Sequence, residues 1–290
     1  MKNKIETHLL KLSCKDQIGI VANISSILAE SNCNIVESKQ FTDQKNGNFF
    51  IRQSFTLLND NMLPNLKNNL ENLAKKLNAD FFLSGIECPM NTIMLVSKFD
   101  HCLNDILFRV RNNSLNLKIK AVVSNHKIAE EIANFSNIPF HYLPIEKTNK
   151  LAQEKKLKEI IYSNDVELIV LARYMQVLSE EFTKSYAGKI INIHHSFLPS
   201  FKGAKPYHQA FDRGVKVIGA TAHYVTKDLD EGPIIEQDTQ EVNHEMMPND
   251  LVLMGRDIEA RVLYRAIKAH SERRVFLNDN RTIVFRGQRI

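Results

Sequence analysis

Glu167-Leu-Ile-Val-Leu-Ala172 is a short apolar run without alternation, the pattern of a strand buried on both faces. A charged helical stretch, Lys150 to Tyr162, precedes it, and a second apolar strand, Lys189-Ile-Ile-Asn-Ile193, follows. The same order occurs upstream: Thr92-Ile-Met-Leu-Val-Ser97 as strand, Cys102 to Arg111 as helix, Leu117 to Ser124 as strand and His126 to Phe135 as helix. Strands that alternate with helices predict a largely parallel sheet covered on both sides. Ligands in such sheets bind at the carboxyl ends of the strands. Ala172-Arg-Tyr-Met175 and Asn192-Ile-His194 fall at those ends. A final helix is predicted from about Asn249 to Ser271, with too few residues after it for a third domain.

The pattern changes before residue 87. A strand over residues 5–14 is apolar on both sides: Ile5, Thr7 and Leu9 leading to Lys11 on one, Leu10 and Leu12 on the other. The turn Asp16 to Gly19 leads to a helix with Ile20, Ile24, Ile27 and Leu28 at helical spacing. Ile35 to Thr42 and Phe49 to Leu58 read as strands around the turn Gln44 to Gly47. Pro64 to Leu77 is a helix with Leu66, Leu70, Leu73 and Leu77 in one stripe, and Asp80 to Ser84 is a closing strand. The order β-α-β-β-α-β is the split βαβ pattern of a ferredoxin-like sandwich. Two domains are therefore expected, residues 1–86 and 87–290.

Composition narrows the function. The chain has 290 residues, 43% hydrophobic and 24% charged, which is ordinary for a globular protein. Its net charge of +5 is scattered rather than gathered into a basic block, so no nucleic-acid partner is expected. Cys14, Cys33, Cys88 and Cys102 form no C-x-x-C pair, and no metal or cofactor is expected. Free thiols fit a reducing compartment. Without a signal-like start or a membrane-length apolar run, the expected place is the cytoplasm.

The densest polar signal is Ile190-Ile-Asn-Ile-His-His-Ser-Phe-Leu-Pro-Ser-Phe-Lys-Gly203. Alternation points Asn192 and His194 to the same side of a strand. A carboxamide and an imidazole side by side can act on one carbonyl, stabilising an oxyanion and moving a proton. On spacing alone they read first as the structural polar groups of a capped strand end. The acidic loop Asp228-Leu-Asp230-Glu231, before the turn Gly232-Pro233, is by itself an ordinary turn. Beside His194, Asp230 would act on the imidazole or on water. His223, in mid-strand, reads as a core or supporting histidine, and His195 as either a tuning or a packing group.

These motifs, with Leu198-Pro199, His223-Tyr-Val-Thr226, Leu229-Asp230 and Gly232-Pro233, resemble the signature of the folate-dependent formyltransferase superfamily over roughly residues 90 to 275. The resemblance implies a Rossmann-like domain with the triad Asn192, His194 and Asp230. It also implies a pterin pocket along Arg173, Tyr174, Met175, Gln176, Val177 and Leu178, facing Val225, Thr226 and Leu229. Within the superfamily the details are similar to the formyltetrahydrofolate deformylases: Cys88-Pro89, His101-Cys-Leu-x-Asp105, Gly203-Ala-x-Pro-Tyr207 and Gly255-Arg-Asp257. The residues Ser97-Lys-Phe-Asp-His-Cys-Leu103 lack the glycines of a phosphate loop, which disfavours transfer to a phosphorylated acceptor. The chain also has no room for a C-terminal RNA-binding domain. Asp16-x-x-Gly19-Ile20-Val21 followed by Asn34-Ile35 resembles the ACT domains, which implies an amino-acid effector at those residues and a homo-oligomer. The implied reaction is hydrolysis of 10-formyltetrahydrofolate to formate and tetrahydrofolate, with formate supplied to purine synthesis. Formyl transfer to an amine and non-enzymatic sensing are the competing readings.

Overall fold

The computed structural model describes residues 6–58, 60–146, 149–198 and 206–287. Ile5 and the residues Pro199 to Lys205 of the quoted segments lie outside them. The chain divides into two compact units, with a boundary between Cys88 and Pro89.

The first unit contains β1 (Thr7–Lys15), α1 (Ile20–Glu30), β2 (Cys33–Asp43), β3 (Asn48–Leu57), α2 (Leu63–Leu77) and β4 (Asp80–Gly85). Its antiparallel sheet runs β2-β3-β1-β4, so β2 and β4 are the edges. Alternation turns Leu10 and Leu12 of β1 toward the helices, where they meet Ile24 and Leu28 of α1 and Leu66 and Leu70 of α2. Each such side chain contributes roughly 1.5–3 kcal/mol through burial. This is the expected ferredoxin-like order.

The unit has one part that the sequence reading placed elsewhere. Glu272–Asn278 and the segment from Ile283 cluster with it, not with the second domain that was expected to run to residue 290. The physical reason is the other face of the sheet. Phe50 of β3 meets Phe276 edge-on at 5.4 Å, and Phe276 meets Phe285 likewise at 5.4 Å. Lys11 lies over the Phe276 ring at 4.3 Å and donates to the Val275 carbonyl at 2.5 Å. Burial, then the nearby Arg273 charge, pushes the Lys11 ammonium down to about 8. The terminal segment thus covers the apolar face that β1 and β3 would otherwise expose.

The second unit begins with β5 (Met90–Val96), α3 (His101–Arg111), β6 (Leu117–Ser124), α4 (Glu130–Phe135), β7 (Phe140–Tyr142), α5 (Lys150–Ser163) and β8 (Leu168–Leu171). It continues with α6 (Glu180–Ser185), β9 (Ile190–His194), α7 (Pro206–Asp212), β10 (Val217–Tyr224), β11 (Ile234–Glu241) and α8 (Pro248–Ser271). After α8 come β12 (Val275–Asn278) and β13 (Arg281–Val284), which form a two-stranded ribbon. The seven-stranded sheet runs β11-β10-β9-β8-β5-β6-β7. The strands from β7 to β9 pair in parallel, and β10 and β11 are antiparallel. Ile93, Leu95, Val123, Ile169 and Ile190 are buried in one core. Among the described residues, no helix is long and apolar enough to cross a membrane.

Phe276→Ala should destabilise the first unit by about 3–5 kcal/mol, the usual cost of emptying a buried aromatic site. Hydrogen exchange of the β1 and β3 amides would report it. Unchanged protection there would contradict a covering role for the terminal segment.

Candidate active site

Sheet register brings the polar residues together. β9 and β10 pair with Asn192 opposite His223 and His194 opposite Thr221. Asn192 and His194 therefore leave β9 on one side, as alternation requires. The Asn192 Nδ2 lies 3.2 Å from His223 Nε2. His223 Nδ1 lies 2.9 Å from the Tyr224 carbonyl, which only accepts, so Nδ1 carries the hydrogen. In the neutral ring, Nε2 then accepts from one Asn192 N–H and leaves the other free.

Asp230 comes from the loop between β10 and β11. Its Oδ2 lies 3.2 Å from His194 Nδ1 and its Oδ1 3.5 Å from His223 Nε2. Burial opposes ionisation of this carboxyl, but the His194 imidazole at its Oδ2, with the His223 ring facing its Oδ1, outweighs it and holds it well below the usual carboxylate range; His223 Nε2 donates to Asp230 only when that ring is doubly protonated. Asp230 takes a left-handed backbone conformation (φ 57°), which aspartate tolerates better than most residues. Gly232 permits this turn: a Cβ there would strike the Tyr224 carbonyl oxygen. The loop after β9 is tied down as well. Thr221 Oγ1 donates to the Ser196 carbonyl at 3.0 Å and accepts from the Leu198 N–H at 3.1 Å.

His194 is buried, and its Nε2 has no hydrogen-bond partner among the described residues. His195 stands edge-on to His194 with ring centres 5.0 Å apart, and edge-on to Tyr207 at 6.5 Å. Burial first, then the Arg173 and His194 charges, pushes the His195 imidazole down to about 4. It is a neutral group at physiological pH.

The expected pocket segment is divided in its exposure. Met175 (54% exposed), Val177 (56%) and Leu229 (62%) present apolar surface, while Tyr174 and Leu178 belong to the core. Tyr174 Oη accepts from Gln153 at 2.8 Å, and burial pushes its phenol up to about 12. Val225 packs against that same core, and Thr226 Oγ1 donates to the Asp228 carbonyl at 3.2 Å. The side chains able to meet a ligand there are thus Met175, Val177 and Leu229, with Gln176 partly exposed. In the first unit Asp16, Asn34 and Ile35 are exposed, Gly19 is left-handed (φ 91°), and Ile20 points into the core.

One polar cluster was not legible beforehand. Glu259 of α8 is 1% exposed and accepts from Tyr207 Oη at 2.7 Å. It also meets His101 Nε2 at 2.8 Å and Arg173 Nε at 3.4 Å. Its signal was a carboxylate on the buried stripe Gly255, Ile258, Glu259, Val262. Gly255 leaves space for the Tyr207 ring, which a Cβ would strike. His101, Cys102 and Glu259 lie within 4.8 Å of one another, a set that could approach a cation. Arg173 already neutralises that carboxylate, and burial holds the Cys102 thiol well above its ordinary value.

The His195 shift carries a pH dependence. Its folded pKa lies below the unfolded value, so both states are neutral above about 6.5 and no linkage arises there. Below that, the unfolded chain takes up the proton first, and stability falls until about pH 4. The full effect is about 3 kcal/mol. His195→Gln should remove this part of the acid sensitivity, measured as the difference between variant and parent denaturation midpoints from pH 7 to 4. Parallel curves would refute the assignment.

Comparison with known proteins places the chain among relatives. A formyl transferase family profile matches residues 90–267, and an ACT domain profile matches residues 8–75. The formyltetrahydrofolate deformylase of Corynebacterium sp. (strain P-1) is 46% identical over 280 residues, covering 96% of this chain and 98% of the relative. That of Bacillus subtilis (strain 168) is 45% identical over 281 residues, covering 95% and 93%. The crystal structure of formyltetrahydrofolate deformylase from Burkholderia mallei superposes with a TM-score of 0.94 at 43% identity, covering 97% of this chain and all of that one. A glycinamide ribonucleotide transformylase from Symbiobacterium toebii matches at a TM-score of 0.65 and 27% identity over 71% of this chain. With this identity along nearly its whole length, the chain belongs to the formyltetrahydrofolate deformylase family.

Proposed function

We infer that this chain hydrolyses 10-formyltetrahydrofolate to formate and tetrahydrofolate, and we propose Asn192, His194 and Asp230 as the residues that carry the reaction. The observation behind the residue roles is one carboxylate held by two imidazoles at the ends of β9 and β10. Water adds to the formyl carbon, and the carbonyl oxygen becomes an oxyanion. The free N–H of Asn192 and the Nε2–H of the doubly protonated His194 ring, its Nδ1–H directed at Asp230, stabilise it. Asp230 is a weak base because its carboxyl is held so low. Its role is to orient His194 and the attacking water rather than to keep a proton. The water proton passes to N10, the C–N10 bond breaks, tetrahydrofolate leaves with N10–H, and formic acid loses its proton to solvent. The pterin lies against Met175, Gln176, Val177 and Leu229, with backbone groups of residues 173–178 and 225–226 as its polar partners.

Asn192→Ala, His194→Ala and Asp230→Asn should each lower kcat by about a hundredfold or more, the usual cost of losing one oxyanion donor or its support. Formate and tetrahydrofolate should appear in equal amounts from the parent enzyme. Parent-like turnover by His194→Ala would refute the assignment.

The first unit acts as an assembly and effector module. Its edge strand β2 exposes Ile35, Val36 and Phe41, with a bulge between Ile35 and Glu37. Pairing of such edges between copies would satisfy open backbone groups. The effector is an amino acid held near Asp16, Gly19 and Asn34, and it changes activity by binding one assembly state better than another. Calorimetric titration of the full chain with the common amino acids should show one that binds and shifts the rate. Absence of any such amino acid, together with a monomeric chain in solution, would remove both roles.

A further inference from the structure

Gln237 of β11 lies in one row with His194. In the sheet register, Thr221 of β10 stands opposite His194 on one side and opposite Gln237 on the other. Residues directly opposite each other on antiparallel strands point to the same face of the sheet. The row His194, Thr221, Gln237 therefore crosses β9, β10 and β11 on one face.

Thr221 is fully buried, and its hydroxyl has one hydrogen to give and two lone pairs to fill. The hydrogen goes to the Ser196 carbonyl at 3.0 Å. One lone pair takes the Leu198 N–H at 3.1 Å, and the other takes Gln237 Nε2 at 2.9 Å. Gln237 Nε2 also donates to the Leu198 carbonyl at 3.1 Å. That carbonyl only accepts, which fixes the nitrogen end of the carboxamide. Both amide hydrogens and the whole capacity of the hydroxyl are thus used. An apolar side chain at 237 would leave the Leu198 carbonyl and a Thr221 lone pair unanswered, and an ionised carboxylate has no hydrogen to give.

This clamp bears on both members of the His194–Asp230 pair. His194 is the last residue of β9, and the segment it leads into, Ser196 to Leu198, belongs to no strand. The bonds to Ser196 and Leu198 set the path of that segment. β10 and β11 are in turn the two arms of the loop that carries Asp230. Their pairing shifts between Ala222 and His223, with Ile235 as the extra residue on β11, just beyond the row. The bond from Gln237 to Thr221 pins the register on the regular side of this shift. It thereby sets how much loop is left to deliver Asp230 to His194 Nδ1, 3.2 Å away. We propose that Gln237 is a positioning residue of the reaction, whose carboxamide holds the segment after His194 and the two arms of the Asp230 loop in one frame. This rests on the hydrolysis inferred above and adds to it a residue that acts through His194 and Asp230.

The test compares kcat and KM of the full-length parent with those of Gln237→Leu. A small misplacement of aligned groups costs rate rather than binding, so kcat should fall about tenfold or more while KM changes by less than about twofold. Thr221→Val should do the same, and it serves if the leucine variant fails to fold. Thr221→Ser, which keeps the hydroxyl, should recover most of that loss. A residue that acts through His194 has little left to act on once that ring is gone. Gln237→Leu combined with His194→Ala should therefore add little to the loss from His194→Ala alone, whereas a general weakening of the fold would add in full. Parent-like kcat in Gln237→Leu, a rise of KM alone, or a full additional loss in the double variant would each overturn the proposal. A parent enzyme that releases no formate at all would instead sink the hydrolase reading, so the two failures are told apart.

Discussion

A half-buried carboxylate held between two imidazoles is the constraint on which the catalytic unit depends. Asp230 would be destabilised by burial if it stood alone, and it stays ionised because His194 and His223 face its two oxygens. Those histidines sit on neighbouring antiparallel strands, so the carboxylate also fixes the approach of the β10–β11 loop to β9. The turn that delivers it has little freedom. Asp230 is left-handed, Gly232 admits no side chain, and Thr221 ties the loop after β9 to β10. Geometry here is set by backbone close approach as much as by the polar groups themselves.

A second buried carboxylate performs the same service one layer away. Glu259 draws together the start of α3 through His101, the end of β8 through Arg173, and α7 through Tyr207. Burial opposes its ionisation, but His101 and Arg173 prevail and keep it below its ordinary value. Removing either partner of such a pair leaves an uncompensated charge inside the protein, which costs about 3–5 kcal/mol. The ends of three segments are thus held by one buried group. Hydrolysis needs a site that keeps its donors aligned while only water enters, and a charged, close-packed floor suits that need.

Much of this architecture is legible from periodicity. The runs at Ile93–Val96, Leu117–Ser124 and Leu168–Leu171 carry the mark of strands buried on both faces, and the leucine stripe of α2 marks a helix packed on one side. Asn192 and His194 could be paired because a strand has a period of two residues. Short elements were harder to read. α6 and α7 span six and seven residues, too few to establish a period, and β7 spans three. The terminal segment misled for another reason. Phe276 and Phe285 look like the end of whatever domain precedes them, yet they pack on Phe50, more than two hundred positions away in the chain.

The sequence by itself determined the two αβ patterns, the side of β9 that bears Asn192 and His194, and the residues available for acid–base work. These follow from local rules: side-chain alternation, helical spacing and the preferences of Asp and Gly in turns. Only the tertiary structure decided which carboxylate meets which imidazole, that Tyr174 and Leu178 face the core while Met175 and Val177 do not, and that Glu259 reaches Arg173. Gln153 and Tyr174 are 21 positions apart, His194 and Asp230 are 36 apart, and Arg173 and Glu259 are 86 apart; strand order and helix docking bring them together. No local preference encodes a distance across a sheet, so the pairing of charges emerges only when the layers close.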